Sequence, residues 1–271
     1  MPPPPNAPPS DRALVLKRYR YGESSLVVHA LTPGHGRLHL LAKGAYRPTS
    51  GYCGVLDLFD TLQLSWRRKR GAELGVLAGA DVVHRRRPLS ADLARYRGGL
   101  AVLELAGLAA QPDRADPDLF ALAERWLGLL CDPAVPPGLA LVAFDLRFLQ
   151  NLGLSPALTA CAACGGPAPP VQTGAGARGR ASAAAFSAGA GGRLCPRCAE
   201  EARSSGRRVG TLPVNVLRIA QSLHDAAPEH LARFRLNERA LDDVRSFVQH
   251  FLDYHLETRP RSRATSRSTA R

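Results

Sequence analysis

The distribution of apolar and polar positions changes character near Pro88. Before it, apolar residues come in short runs separated by turn signals. Leu14 to Arg20 is rich in β-formers, Ser24 to Leu31 gives a second run, and Gly36 to Leu41 follows the turn signal Thr32-Pro33-Gly34. Leu56 to Trp66 predicts a strand by alternation. Leu56, Leu58, Leu62, Leu64 and Trp66 share one parity, interrupted by Asp60; Asp57, Thr61, Gln63 and Ser65 take the other, with Phe59 the exception. That parity turns Trp66 inward. Arg67-Arg68-Lys69-Arg70-Gly71 makes a charged turn before a last run from Glu73 to Val83. Five short strands suit a small barrel, and the pattern leaves OB and SH3-like barrels both open.

After Pro88 the period is helical. Leu89 to Ala110 carries Leu93, Tyr96, Leu100 and Leu103 at helical spacing, the stripe expected to pack on the core. Asp116-Pro117 starts a second helix with Leu119, Leu122, Trp126, Leu129 and Leu130. Pro137 to Leu152 predicts a third, closed by Gly153 and Pro156, and Val214 to His224 and Glu238 to Leu256 predict two late ones. In the last, Leu241, Val244, Val248, Phe251, Leu252 and His255 fall on one stripe.

Charge sharpens this division. The net charge is +13, but it is not spread evenly. Residues 1 to 87 hold 14 Lys/Arg against 6 Asp/Glu, and residues 259 to 271 hold 5 Arg and no acid. The stretch between holds 17 of each sign. An arginine-rich genome explains why Lys occurs only at Lys17, Lys43 and Lys69, but not where the excess lies. A basic face confined to the barrel and the tail points to a polyanionic partner, nucleic acid first.

Two C-x2-C pairs, Cys161-Ala-Ala-Cys164 and Cys195-Pro-Arg-Cys198, stand thirty residues apart. Each lies beside turn residues, so both sulfurs of a pair can point at one ion, and four thiolates suit tetrahedral zinc. Such a site has no open position and is structural. The gap exceeds the usual spacing of about 15 to 20 residues. Its excess, Thr173 to Gly192, is rich in Ala and Gly and reads as a flexible insertion. Cys53 and Cys131 lack partners at metal spacing.

Other chemistry finds no footing. There is no G-x-x-x-x-G-K-[ST], H-E-x-x-H or G-x-S-x-G. His29, His35 and His39 are close in sequence, but no neighbouring carboxylate pairs with them for metal hydrolysis. The chain therefore reads as a non-enzyme. No apolar run reaches the ~18 residues of a membrane span. Met1 to Pro5 lacks the layout of a secretory signal, so an intracellular, soluble protein is expected.

Taken together, the motifs resemble the RecO family. Ala13-Leu-Val-Leu-Lys-Arg, Tyr21-Gly-Glu-Ser-Ser, Leu31-Thr-Pro-Gly-His-Gly-Arg and Leu41-Ala-Lys-Gly-Ala-Tyr-Arg-Pro-Thr-Ser are similar to its N-terminal signature. Cys161-Ala-Ala-Cys-Gly, Phe186-Ser187, Gly191-Gly192 and Cys195-Pro-Arg-Cys198 are similar to its second anchor. So are Phe144 to Pro156 and Phe251-Leu-Asp-Tyr-His-Leu. The proline arm and the long inter-knuckle loop depart from that pattern.

The resemblance implies an α+β multidomain protein: an N-terminal OB-fold β-barrel, then an α-helical domain with an inserted four-cysteine zinc knob. On this frame the expected parts are a disordered proline arm (1–11), a DNA-binding barrel (12–87), a helical domain (88–258) with its zinc insertion (159–200), and a basic tail (259–271). The tail reads equally as an auxiliary DNA contact or a solubilising end.

The resemblance also implies a bacterial, cytoplasmic, nucleoid-associated mediator of DNA repair and homologous recombination. Such a protein binds single- and double-stranded DNA, anneals complementary strands, engages RecR and the C-terminal tail of single-strand-binding protein, and so helps load RecA. The candidate phosphate contacts are Lys17, Arg18, Arg20, Lys43, Arg47, Arg67, Arg68, Lys69 and Arg70, with Tyr19, Tyr21, Tyr46 and Trp66 as stacking candidates. Arg85, Arg86 and Arg87 could extend that path or pair with acids of the helical domain. The competing reading is a zinc-containing OB-fold RNA- or DNA-binding module without mediator activity.

Overall fold

The fold comes from a computed structural model that describes residues 8–173, 181–256, 260 and 262. The proline arm up to residue 7, residues 174–180 of the expected insertion and most of the basic tail lie outside the described residues. The described chain divides into two compact units, with the boundary between Pro133 and Ala134.

In the first unit, five strands close into a barrel: β1 (Ser10–Tyr21), β2 (Ser25–Thr32), β3 (Gly36–Ala42), β4 (Thr61–Arg67) and β5 (Leu74–His84). The order β1-β2-β3-β5-β4, with β3 and β5 parallel and β1 pairing both β2 and β4, is that of an OB barrel. It settles the choice that the strand pattern left open. Val15, Val28, Leu38, Leu40, Leu62, Leu64 and Leu77 fill the interior, and Trp66 joins them at 3% exposure. Gly36 sits at φ +61, and a side chain there would collide with the Arg114 backbone, so the β2–β3 turn requires glycine.

Three helices complete this unit: α1 (Arg87–Ala91), α2 (Leu93–Ala109) and α3 (Pro117–Leu129). The Asp92 carboxylate caps α2 by accepting from Arg95 N–H at 2.7 Å, and Asp116 caps α3 by accepting from Leu119 N–H at 2.9 Å.

Three expectations need correction. The strand expected from Leu56 begins only at Thr61. Leu56 plugs the barrel, whereas Phe59 adopts φ 73 in the turn and is also buried. Their apolarity imitated strand parity for an unrelated reason. The α2 stripe is also displaced. Leu93 is 63% exposed and Tyr96 is open, while Gly98, Gly99, Ala101, Val102, Leu103, Leu105 and Ala106 are buried. Leu103 of the expected stripe is buried, but toward the start of the helix Gly98 and Gly99 take the buried side, where small residues allow close approach. Lastly, the flexible insertion expected from Thr173 to Gly192 contains a strand at the centre of a sheet.

That sheet belongs to the second unit. It contains β6 (Val171–Thr173), β7 (Ala181–Ser187), β8 (Gly192–Leu194) and β9 (Gly210–Pro213), with β7 pairing all three others. The helices are α4 (Pro137–Asn151), α5 (Pro196–Ser204), α6 (Val214–Asp225) and α7 (Glu238–Leu256). Val244, Phe247, Val248, Phe251 and Leu252 form the buried face of α7, and Phe186 of β7 meets Phe247 edge-on at 5.1 Å. No described helix is long and apolar enough to cross a membrane.

Candidate nucleic-acid interface and metal centre

All nine basic residues expected to meet phosphate are exposed. They do not form one row. A bulge in β1 between Val15 and Lys17 resets the alternation, so Lys17 pairs with His29 while Arg18 pairs with the interior residue Val28. Lys17, Tyr19 and Tyr21 therefore share the outer face, and Arg18 and Arg20 lie on the opposite one. Arg18 donates to the Leu56 carbonyl at 2.9 Å and pairs with Asp57 at 3.0 Å. Arg20 lies over the Tyr46 ring at 5.0 Å. Lys43 and Arg47 follow β3 at the same end, with the Arg47 N–H donating to the Gly44 carbonyl.

Arg67 ends β4, paired with Val76, and Arg68 to Arg70 open the β4–β5 turn. Because His39 pairs with Leu74 and Leu41 with Val76, the end of that turn enters β5 alongside β3. Arg68 pairs with Asp113 at 2.6 Å. The arginines at the end of β5 behave differently. Arg86 is 5% exposed and donates to the Phe59 carbonyl at 2.7 Å and the Thr61 hydroxyl at 3.0 Å. Its N–H donates to Asp60 at 2.8 Å, and Glu124 of α3 stands 3.9 Å away. Arg85 pairs with Asp60 at 3.4 Å. Arg86 thus pairs with an acid, the second of the two roles the sequence allowed.

Sequence reading missed the relation between His29 and His39. Their rings stack at 4.0 Å across β2 and β3, and the Tyr19 hydroxyl lies 3.0 Å from His29 Nε2. Burial, then His39, Arg37 and Lys17, push the His29 imidazole down to about 4. Burial and Arg37 also lower His39, against Glu73 and Asp113. Both rings are neutral at pH 7. The turn signal at Thr32-Pro33-Gly34 held the clue, because a hairpin folded there sets the two histidines opposite each other.

In the second unit the four cysteines converge: Sγ atoms of Cys161, Cys164, Cys195 and Cys198 all lie within 4.8 Å of one another. Tetrahedral zinc with bonds of about 2.3 Å places sulfurs about 3.8 Å apart. The Cys164–Cys195 separation of 4.0 Å fits. The first knuckle is closed by Cys161 N–H donating to Gly166 O at 2.9 Å and Gly165 N–H to Cys161 O at 2.8 Å. In the second, Cys195 precedes α5 and Cys198 lies in its first turn. Gly192 pairs so closely with Ala157 that a Cβ would meet the Ala157 oxygen at 2.5 Å. Ala168, Ala185, Leu194, Ala199 and Ala202 pack behind the thiols.

Burial works to raise the Cys161 thiol, but hydrogen bonds from the Cys195, Cys164 and Ala163 backbone bring it down to about 6. Cys198, hydrogen-bonded to Cys195 and then desolvated, is pushed up to about 12. Four thiols this close cannot all ionise without a cation to balance them. The donor set suits a structural ion. Cys53 is exposed, and Cys131 donates to the Leu127 carbonyl at 3.3 Å.

Two family profiles match this chain: "Recombination protein O N terminal" over residues 9–86 and "Recombination protein O C terminal" over residues 90–264. The chain belongs to the RecO family. A DNA repair protein RecO of Anaeromyxobacter dehalogenans (strain 2CP-C) is 34% identical over 250 residues, covering 91% of this chain and 92% of that protein. A DNA repair protein RecO of Myxococcus xanthus (strain DK1622) is 32% identical over 248 residues, covering 92% and 94%. Membership supports a role in DNA repair. In this RecO-family chain the barrel falls within the N-terminal match and the cysteine cluster within the C-terminal one.

Proposed function

We propose that this chain is a non-catalytic recombination mediator whose barrel, residues 12–87, binds and anneals DNA strands. The observation that carries the reading is the cluster of four exposed cations where β4 runs into the β4–β5 turn: Arg67, Arg68, Lys69 and Arg70. Cations on an OB barrel track phosphates and release counterions on binding. Two strands neutralised on one surface repel each other less, so annealing needs no chemical step and no nucleotide.

The helical region, residues 88–258, supplies partner contacts in this reading. Between α6 and α7 a shallow groove carries Val216, Ile219 and Ala240 beside Arg239 and Asp243. The apolar floor, with Arg239 as the cation on a rim that also carries Asp243, supports its use for the acidic C-terminal tail of single-strand-binding protein. Engagement of RecR, and through it the loading of RecA, completes the proposal. The four cysteines hold one structural zinc that fixes the knob and takes no part in the chemistry.

The decisive experiment is annealing of complementary oligonucleotides already coated with single-strand-binding protein, without nucleotide. Rapid annealing is the expected result. Salt-sensitive DNA binding with no annealing would instead favour an OB-fold RNA- or DNA-binding module without mediator activity.

A further inference from the structure

The outer face of the barrel holds two parallel rows of side chains. Ladder pairing aligns Lys17, His29, His39 and Leu74 in one row across β1, β2, β3 and β5. The next aligns Tyr19, Val27, Leu41, Val76 and, on β4, Arg67. Each row is aromatic or apolar along its middle and has a cation at one end.

Much of this apolar surface is open: Tyr19 is 45% exposed, Leu74 40% and Val76 37%. Tyr19 meets His29 edge-on at 5.4 Å, and His29 stacks on His39. A stacked pair of imidazoles beside Lys17 and Arg37 is a poor surface for a lone cation and adds little to the barrel core. Flat π-faces flanked by cations are what unpaired bases and their phosphates require.

We propose that Tyr19, His29 and His39, which touch across the two rows, form a platform on which unpaired bases of a single strand stack, while Lys17 and the β4–β5 turn hold the phosphates on either side. This rests on the reading that the barrel carries single-stranded DNA, and it adds which side chains meet the bases. It also links binding to protons. The charged groups facing the two imidazoles are Lys17 from β1, Arg37 from β3, Glu73 from the turn and Asp113 from the connection between α2 and α3. Lys17 and Arg37 oppose protonation. Arriving phosphates offset those two cations, so the rings take up protons as the strand binds.

The test compares an oligothymidylate about 16 nucleotides long, the upper site size of one such barrel, with an abasic strand of equal length. The wild-type chain is expected to prefer the strand with bases by about tenfold or more. The double variant Tyr19→Ala/His39→Gln is expected to lose that preference while binding the abasic strand as before. Equal binding of both strands by the wild type, or a preference kept by the variant, would overturn the platform. Absence of salt-sensitive binding to either strand would overturn the underlying reading instead.

Calorimetry of the unmodified chain in two buffers of different ionisation enthalpy gives a readout independent of the variant's folding. At a pH between the two His29 values of about 4 and 6.5, net proton uptake is expected on binding oligothymidylate. No uptake there would count against the histidines as part of the site.

Discussion

The ring of Phe59 fills the space that a Cβ on Gly99 would need, its Cε1 lying 2.7 Å from that point. The contact fastens the turn before β4 to the middle of α2. Ala is worth about 1 kcal/mol over Gly in an open helix. Here the buried ring would have to move, and overpacking of this kind costs about 1 to 3 kcal/mol. Gly99→Ala is therefore expected to lower the urea midpoint. A raised midpoint would show that the ring yields freely.

Arg86 poses the opposite problem, a charge that the interior must satisfy. Burial lowers its affinity for a proton, and Glu124 and Asp60 act against that. Arg86→Met leaves the Phe59 carbonyl without its side-chain donor and removes the buried cation beside Asp60 and Glu124, although Glu124 keeps the Thr61 hydroxyl and Arg12, at an expected cost of about 3 to 5 kcal/mol. The double variant Arg86→Met/Glu124→Leu should recover part of it. Equal destabilisation of both variants in chemical denaturation would mean that the pair is not coupled.

Stability should also depend on pH through His29. Its value is about 4 when folded against 6.5 when free, so the unfolded chain takes up the proton first as pH falls. The contribution of neutral His29 is intact above 6.5 and is lost progressively between 6.5 and about 4. Denaturant midpoints across that window should fall for the wild type and fall less for His29→Gln. Identical slopes would place the pH dependence elsewhere.

Metal analysis should find one zinc per folded chain. Cys198→Ser is expected to bring the content below stoichiometric, since three thiolates and a hydroxyl hold zinc less well than four thiolates. Chelation should release protection of the β7–β8 and α5 amides in hydrogen exchange. Protection unchanged after complete zinc removal would show that Ala168, Ala185, Leu194 and Ala202 hold the knob by packing alone.

Replacing Arg67, Arg68, Lys69 and Arg70 together with Ala should weaken single-strand binding and flatten its salt dependence. Each lost phosphate contact is worth about 0.7 log units of affinity per log unit of salt. Arg68 already serves Asp113, so a loss smaller than four contacts is expected. An unchanged slope would remove the turn from the path.

Much of this molecule was readable along the chain. Trp66 lies inside by parity, Asp116-Pro117 starts a helix, and the C-x2-C pairs lie within bonding reach of one ion. These features are local: strand alternation, capping and knuckle turns each depend on a few adjacent residues. Leu56 and Phe59 misled because burial, not strand conformation, kept them apolar. The β7 strand escaped notice because Ala-rich composition resembles a loop unless its three partners are known.

The sequence by itself determined five short strands ahead of a helical region, a basic N-terminal third and four thiols at metal spacing. Tertiary structure alone decided the rest. Closing β3 against β5 set the barrel type and brought Leu74 and Glu73 beside His39. The bulge in β1 put Lys17 on the outer face and Arg18 on the inner one, the reverse of an unbroken alternation from Val15, and the β2–β3 register stacked His29 on His39. The physical reason is that hydrogen-bonded register between strands distant in the chain fixes which side chains share a face, and a shift of one residue reverses it.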